Sequence, residues 1–206
     1  RRRNNQELMV MGTATGPAYK VPLKRRRKSL TNYLKRLGLV KSKIPRMVVR
    51  KSAKHVLVQF IQYAEGGDRT ISSALSKELS KFGWPDRCNT PTAYLTGMLA
   101  AKKAMKKGVK SSVLDVGLQT PSKGSVLFAA AKGAIGAGVL LSVGEGMSDE
   151  AREKGVHIEN FAKTLKGKPE YEKKFSAYIK AGIQPEQISG LFEKTKGSIS
   201  RGDVSG

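Results

Sequence analysis

The chain has 206 residues, 39% of them hydrophobic, which suffices for one well-buried domain with extensions and needs no disulfide or metal to hold a small core. Its 39 Lys/Arg against 16 Asp/Glu give a formal charge of +23, so a polyanionic partner is expected: nucleic acid, an anionic membrane surface or an acidic protein. The single cysteine, Cys88, excludes an intrachain disulfide and a cysteine-rich metal site, and fits a reducing compartment.

The charge is concentrated. Residues 1–55 carry 17 Lys/Arg against one acidic residue, Glu7, whereas residues 142–206 carry 11 against 10. The C-terminal third is therefore expected to face protein or solvent. Residues 1–10 precede Met11 and read as a disordered extension from an upstream start; the short LMVM run behind RRRNNQE is too brief for a signal peptide. Residues 1–22, with Gly12, Gly16, Pro17 and Pro22 and little apolar periodicity, read as a basic extended arm.

From Leu23 to Leu39 the spacing predicts one basic amphipathic helix. Leu23, Leu30, Tyr33, Leu34 and Leu37 share a side, and Gly38 is the expected stop. Its apolar stripe is short and lacks Trp or Phe, which argues against a membrane surface. Pro45 then introduces a strand, Arg46–Ser52, joined by a tight Ser52-Ala53 connection to a second, Lys54–Tyr63. Alternation sets Arg46, Val48 and Arg50 against Met47, Val49 and Lys51, and Val56, Val58 and Phe60 against His55, Leu57, Gln59 and Ile61. The EGGD loop at 65–68 leads to a third strand near Arg69–Ser76, completing an antiparallel meander.

A short helix is expected over Ser76–Phe82, then a loop, then a long helix with Thr90 as N-cap and Pro91 in its first turn, ending at Gly108. Ser112–Gly117 reads as a buried strand and Ser125–Gly138 as a helix rich in alanine and glycine for close packing. The fold class is α/β: a mixed β-sheet covered by helices over residues 23–143, with a small α-helical extension over 144–196. The extension comprises a helix over Ser148–Leu165, a second around Tyr171, Phe175 and Tyr178, and a third over Pro185–Lys196. Residues 197–206 read as a flexible tail. No apolar run reaches the ~18–20 residues of a membrane span; the longest, Val126–Val143, is broken by Lys132 and three glycines.

Catalytic patterns are largely missing. His55 and His157 stand far apart and outside any HExxH or CxxC spacing, GxSxG is absent, and the glycines over 133–138 follow the order GxxGxG with no Gly-Lys-Ser/Thr behind them. No metal, cofactor or small-molecule substrate is expected. The basic stretch carries the chemistry instead. The KRRRK run at 24–28 has no acidic neighbours at helical spacing, and its self-repulsion is relieved by a polyanion. Tyr19, Tyr33 and His55 can stack on bases or meet 2′-hydroxyls of structured RNA, and no zinc finger or basic zipper supports sequence-specific DNA readout. Two rival classes follow: a general nucleic-acid architectural protein, and a small enzyme using His55, Asp115 or Cys88.

The segments ATGPAYKVPLKRRRKSLTNYLKRL, PRMVVRKSAKHVLVQFIQY, NTPTAYLTGMLAAKKA, VLDVGLQTPSKGSVLFAAAKGAIGAG and GVHIENFA, in that order, resemble the archaeal members of the ribosomal large-subunit family numbered eighteen. The likeness runs from Ala14 to Ala162 and more loosely to Phe192. It implies a non-catalytic, cytoplasmic ribosomal protein that binds 5S rRNA and bridges it to the large-subunit rRNA in the central protuberance, beside neighbouring ribosomal proteins. Carried onto matching positions, it implies RNA contact by Tyr19, Lys20, Lys24, Arg25, Arg26, Arg27, Lys28, Tyr33 and Arg36. In the first hairpin it implies contact by Arg46, Arg50, Lys51, Ser52, Lys54 and His55. Lys123, at the tip of the Thr120–Ser125 loop, is a weaker candidate that reads equally well as part of an ordinary strand-to-helix connection.

Overall fold

The structure, a computed structural model, describes residues 16–17, 20–144 and 147–201; Tyr19, residues 1–15 and the end of the chain beyond 201 lie outside the described residues. Strands β1 (Arg46–Lys51), β2 (Val56–Gln62) and β3 (Arg69–Leu75) form the expected antiparallel meander. Strand β4 (Ser111–Asp115) adds parallel to β1, and a two-residue strand β5 (Leu140–Leu141) adds parallel to β4, giving the order β3-β2-β1-β4-β5. The register pairs Met47 with Phe60 and Val49 with Val58, so the period-2 pattern turns these residues, with Val56 and Ala74, to one face where all are fully buried.

Helices α3 (Thr90–Lys106) and α4 (Val126–Gly136) cover that face. Every residue of α3 from Thr90 to Ala101 is buried, because the helix packs on β2 and β3 and also meets α4 and helices from the C-terminal part of the chain. The α3–α4 crossing is set by two glycines. A Cβ on Gly97 would stand 2.0 Å from the Ala130 carbonyl oxygen, and one on Gly133 would stand 2.0 Å from the Tyr94 carbonyl oxygen. The glycines over 133–138 thus serve close helix packing, as their order suggests.

The C-terminal helices are α5 (Glu150–Lys154), α6 (Val156–Leu165), α7 (Glu170–Lys180) and α8 (Ile188–Arg201). Their apolar sides join the same core. Phe192 of α8 lies edge-on to Trp84, with ring centroids 6.1 Å apart, and 5.4 Å from Tyr94; the Trp84 indole donates to Thr92 Oγ1 at 2.8 Å. Asn89 ties the two halves as well: its carbonyl oxygen accepts from the Thr92 amide and its amide donates to the Tyr178 hydroxyl at 2.9 Å.

Several boundaries differ from the sequence reading. The expected helix over 23–39 is two pieces, α1 (Lys24–Arg27) and α2 (Tyr33–Lys41), parted where Ser29 takes φ 50°. Asn32 caps α2 by accepting from the Lys35 amide at 3.0 Å, and five successive cations without counter-charge do not sustain a longer first piece. Gly38 lies inside α2; the turn out of that helix falls at Lys43, φ 57°. Asn89, not Thr90, is the α3 N-cap. Gly155, at φ 85°, divides Ser148–Leu165 into α5 and α6, where it meets Ile188 and Pro91 too closely for a side chain. The flexible tail expected from 197 is helical to Arg201, held by buried Ile199 and by Lys102 Nζ donating to the Ser200 carbonyl.

Candidate nucleic-acid interface

The basic residues fall into three groups by what holds them. The first is α1 and the turn behind it, where Lys20, Lys24, Arg25, Arg26, Arg27 and Lys28 are all exposed. Arg25 donates to Thr31 Oγ1 at 2.9 Å and so braces the turn into α2, on which Tyr33 is 40% exposed. Among the described residues, no carboxylate lies within ion-pair distance of Lys24, Arg26, Arg27 or Lys28. The apolar stripe of this segment is itself exposed, with Leu34 at 84% and Leu23 at 80%.

The second group is the β1–β2 loop, residues 52–55, longer than the two-residue connection expected. Ser52 donates its amide to the His55 carbonyl at 2.9 Å, and its hydroxyl accepts from the His55 amide at 3.0 Å, which closes the loop and leaves Lys51, Ser52 and Lys54 exposed. A relay anchors it. The His55 ring nitrogen Nδ1 lies 2.9 Å from Asp86, Asp86 accepts from the Ser76 hydroxyl at 2.7 Å, and Ser76 accepts from the Val56 amide. His55 is therefore half-committed to positioning the loop.

The third group is an ion chain on the sheet face opposite α3, and it changes the sequence reading. Arg46 is 4% exposed and donates to Asp115 at 2.9 Å and to Asp68 at 2.7 Å. Arg36 of α2 reaches the same Asp68 at 2.8 Å, and Arg50 reaches Asp115 at 3.1 Å. Arg46, one of the RNA contacts that the resemblance implies, is here a buried guanidinium bridging two carboxylates, an arrangement that serves the fold. Arg36 and Arg50 keep about two-fifths of their side chains exposed and sit at the two ends of the chain, bordering a cleft of about 700 Å³. Gly117 (φ 63°) leaves room for Arg50, whose guanidinium carbon would lie 2.9 Å from an added Cβ.

Lys123 is exposed in its loop, away from these groups in sequence, and Tyr19 lies outside the described residues. The part that sequence reasoning missed is the acidic half of the ion chain. Asp68 and Asp115 are isolated acids in basic surroundings, and only their spatial partners explain them. For the catalytic alternative, burial pushes the Cys88 thiol pKa up, with Lys51 opposing, so the thiolate is disfavoured. Asp115 is bound between arginines. Among the described residues there is no cluster of metal-ligating side chains and no helix long and apolar enough to cross a membrane.

The chain is similar to known proteins over most of its length. Residues 17–112 match the family model described as ribosomal large subunit proteins 60S L5 and 50S L18. The large ribosomal subunit protein uL18 of Ignicoccus hospitalis is 46% identical over 190 residues, spanning 90% of this chain and 93% of that protein. The uL18 of Thermofilum pendens is 47% identical over 90% of this chain and 97% of its own length. That of Methanobrevibacter smithii is 45% identical over 92% and 99%. With this identity along nearly the whole chain, the protein belongs to the uL18 family of large ribosomal subunit proteins, a structural family and not an enzymatic one.

Proposed function

We propose that this protein, as a structural constituent of the large subunit, binds 5S rRNA and bridges it to the large-subunit rRNA in the central protuberance. The observation that carries this reading is the contrast between the groups above. The cations of α1 and of the 52–55 loop are exposed and without carboxylate partners among the described residues, whereas Arg46 is neutralised inside the fold. Exposed cations of this density are stabilised by phosphates. The loop is a rigid seat because the Asp86–Ser76 relay fixes it, and α1–α2 is a loosely held grip, tied to the sheet face through the Arg36–Asp68 pair. In this reading Lys20, Lys24–Lys28, Lys51, Ser52 and Lys54 meet the sugar-phosphate backbone, Tyr33 and His55 add stacking or 2′-hydroxyl contacts, and Arg36 and Arg50 reach it from the ends of the ion chain. Neighbouring large-subunit proteins are expected against the nearly neutral C-terminal helices.

Filter binding to 5S rRNA across a salt series, with duplex DNA of matched length as competitor, tests it. A steep loss of affinity with salt and weak displacement by DNA are expected. Equal displacement by DNA would make the protein a general architectural binder, and affinity independent of salt would overturn RNA binding by these cations.

A further inference from the structure

A second surface borders the β1–β2 loop. Ala53 of that loop, residues 87–89, and α6 and α7 enclose a recess of about 510 Å³ whose lining includes no residue of α1 or α2. Its floor is aromatic: Phe175 and Tyr178 are 5% and 8% exposed and lie 6.0 Å apart. Phe161 stands on this floor, 6.0 Å from Phe175, yet it is 45% exposed. An aromatic ring braced by one other ring and partly exposed to solvent can serve as a stacking platform. Lys174 lies over the Phe161 ring with its ammonium 5.1 Å from the centroid, a flexible cover that a stacked base would displace toward its own phosphate, and Arg87 also lines the recess. Lys174 also stands 3.7 Å from Glu170, in an exposed pair that contributes little. His157 also lines the recess, and partial burial and then Arg152, with Asp149 opposing, hold its imidazole below its ordinary pKa, which favours the neutral ring that can accept as well as donate.

An open ring, two cations and neutral hydrogen-bonding groups match one nucleotide: a π-face for its base and charge for its phosphate. An acidic peptide would use the cations but not the exposed ring. We propose that the recess takes a single unstacked nucleotide of the RNA bound along the β1–β2 loop, its base against Phe161 and its phosphate on Lys174 and Arg87. This rests on the RNA-binding reading above. It adds a base-stacking site on the C-terminal helices, which the sequence leaves nearly neutral.

The test uses the full chain and 5S rRNA. Phe161→Ala is expected to weaken binding about 5- to 100-fold, the usual effect of removing one stacked base, with the salt slope unchanged because every phosphate stays neutralised. Phe161→Tyr is expected to retain wild-type affinity. Lys174→Ala is expected to weaken binding and to flatten the slope by about one phosphate's share. The half-exposed positions make unfolding an unsuitable explanation, and equal melting temperatures check it. Wild-type affinity in both Phe161→Ala and Lys174→Ala would overturn the proposal while leaving RNA binding by the arm and loop intact. Loss of a neighbouring ribosomal protein from either variant, with RNA affinity unchanged, would also overturn it and assign the recess to protein. Failure of the RNA-binding reading looks different, because the wild-type chain would then show no salt-dependent binding to compare against.

Discussion

Asp115 is 7% exposed, and its two carboxylate oxygens serve Arg46 and Arg50 while Oδ1 also accepts from the Gly117 amide at 2.9 Å. Removing it leaves the Arg46 guanidinium buried with only Asp68 for charge, and Arg46 Nε already has no hydrogen-bond partner. Breaking a buried pair by deleting one partner costs far more than replacing both with apolar groups. Asp115→Ala is therefore expected to lower stability by about 3–5 kcal/mol in urea unfolding. A loss below about 1 kcal/mol, as for an exposed pair, would mean that water reaches the cluster. The same residue shows why the burial of Arg46 is not legible in the sequence. Alternation along β1 correctly sets Arg46, Val48 and Arg50 on the face away from α3, but period-2 patterning cannot reveal that Asp115, 69 residues away, occupies that face.

At the scale of elements, α1 and α2 are the least supported parts of the described chain. Neither has a buried residue. Packing does not hold them, so their cations are available to a ligand and their own stability contributes little to the fold. Replacing Lys24, Arg26, Arg27 and Lys28 together by alanine is expected to leave the melting temperature within a degree or two. The same change should flatten the salt dependence of 5S rRNA binding by roughly 0.7–0.9 for each phosphate that is no longer neutralised. An unchanged slope would show that α1 faces away from the RNA. The α3–α4 pair is the opposite case: its glycines and alanines are legible as close packing, because small residues at helical spacing have no other purpose inside an apolar run.

Across the whole molecule, the apolar core runs without a break from the sheet through α3 to Ile188, Phe192 and Ile199 of α8. The C-terminal helices therefore cover α3 and do not form a separate core. Phe192→Ala would open a cavity against Trp84 and Tyr94, and an expected cost of about 3–5 kcal/mol would appear as one cooperative transition followed by Trp84 fluorescence. Two transitions, with the β-sheet melting separately, would show instead that the helices fold as an independent unit.

The sequence by itself determined the antiparallel meander, the long central helix, the helix-rich C-terminus and the concentration of charge before residue 55, because each of these is written in local periodicity, capping and composition. The ordered family likeness determined the class of protein. What only the tertiary structure decided is which cations are spent inside the fold and which are left for a partner. Charge along a chain records how many cations exist, whereas their neutralisation depends on carboxylates brought from elsewhere: Asp68 and Asp115 to Arg46, and Asp115 to Arg50. The exposed stripe of α1 and α2 and the exposed part of Phe161 belong to the same class of fact, since exposure is a property of what packs nearby and not of the residue itself.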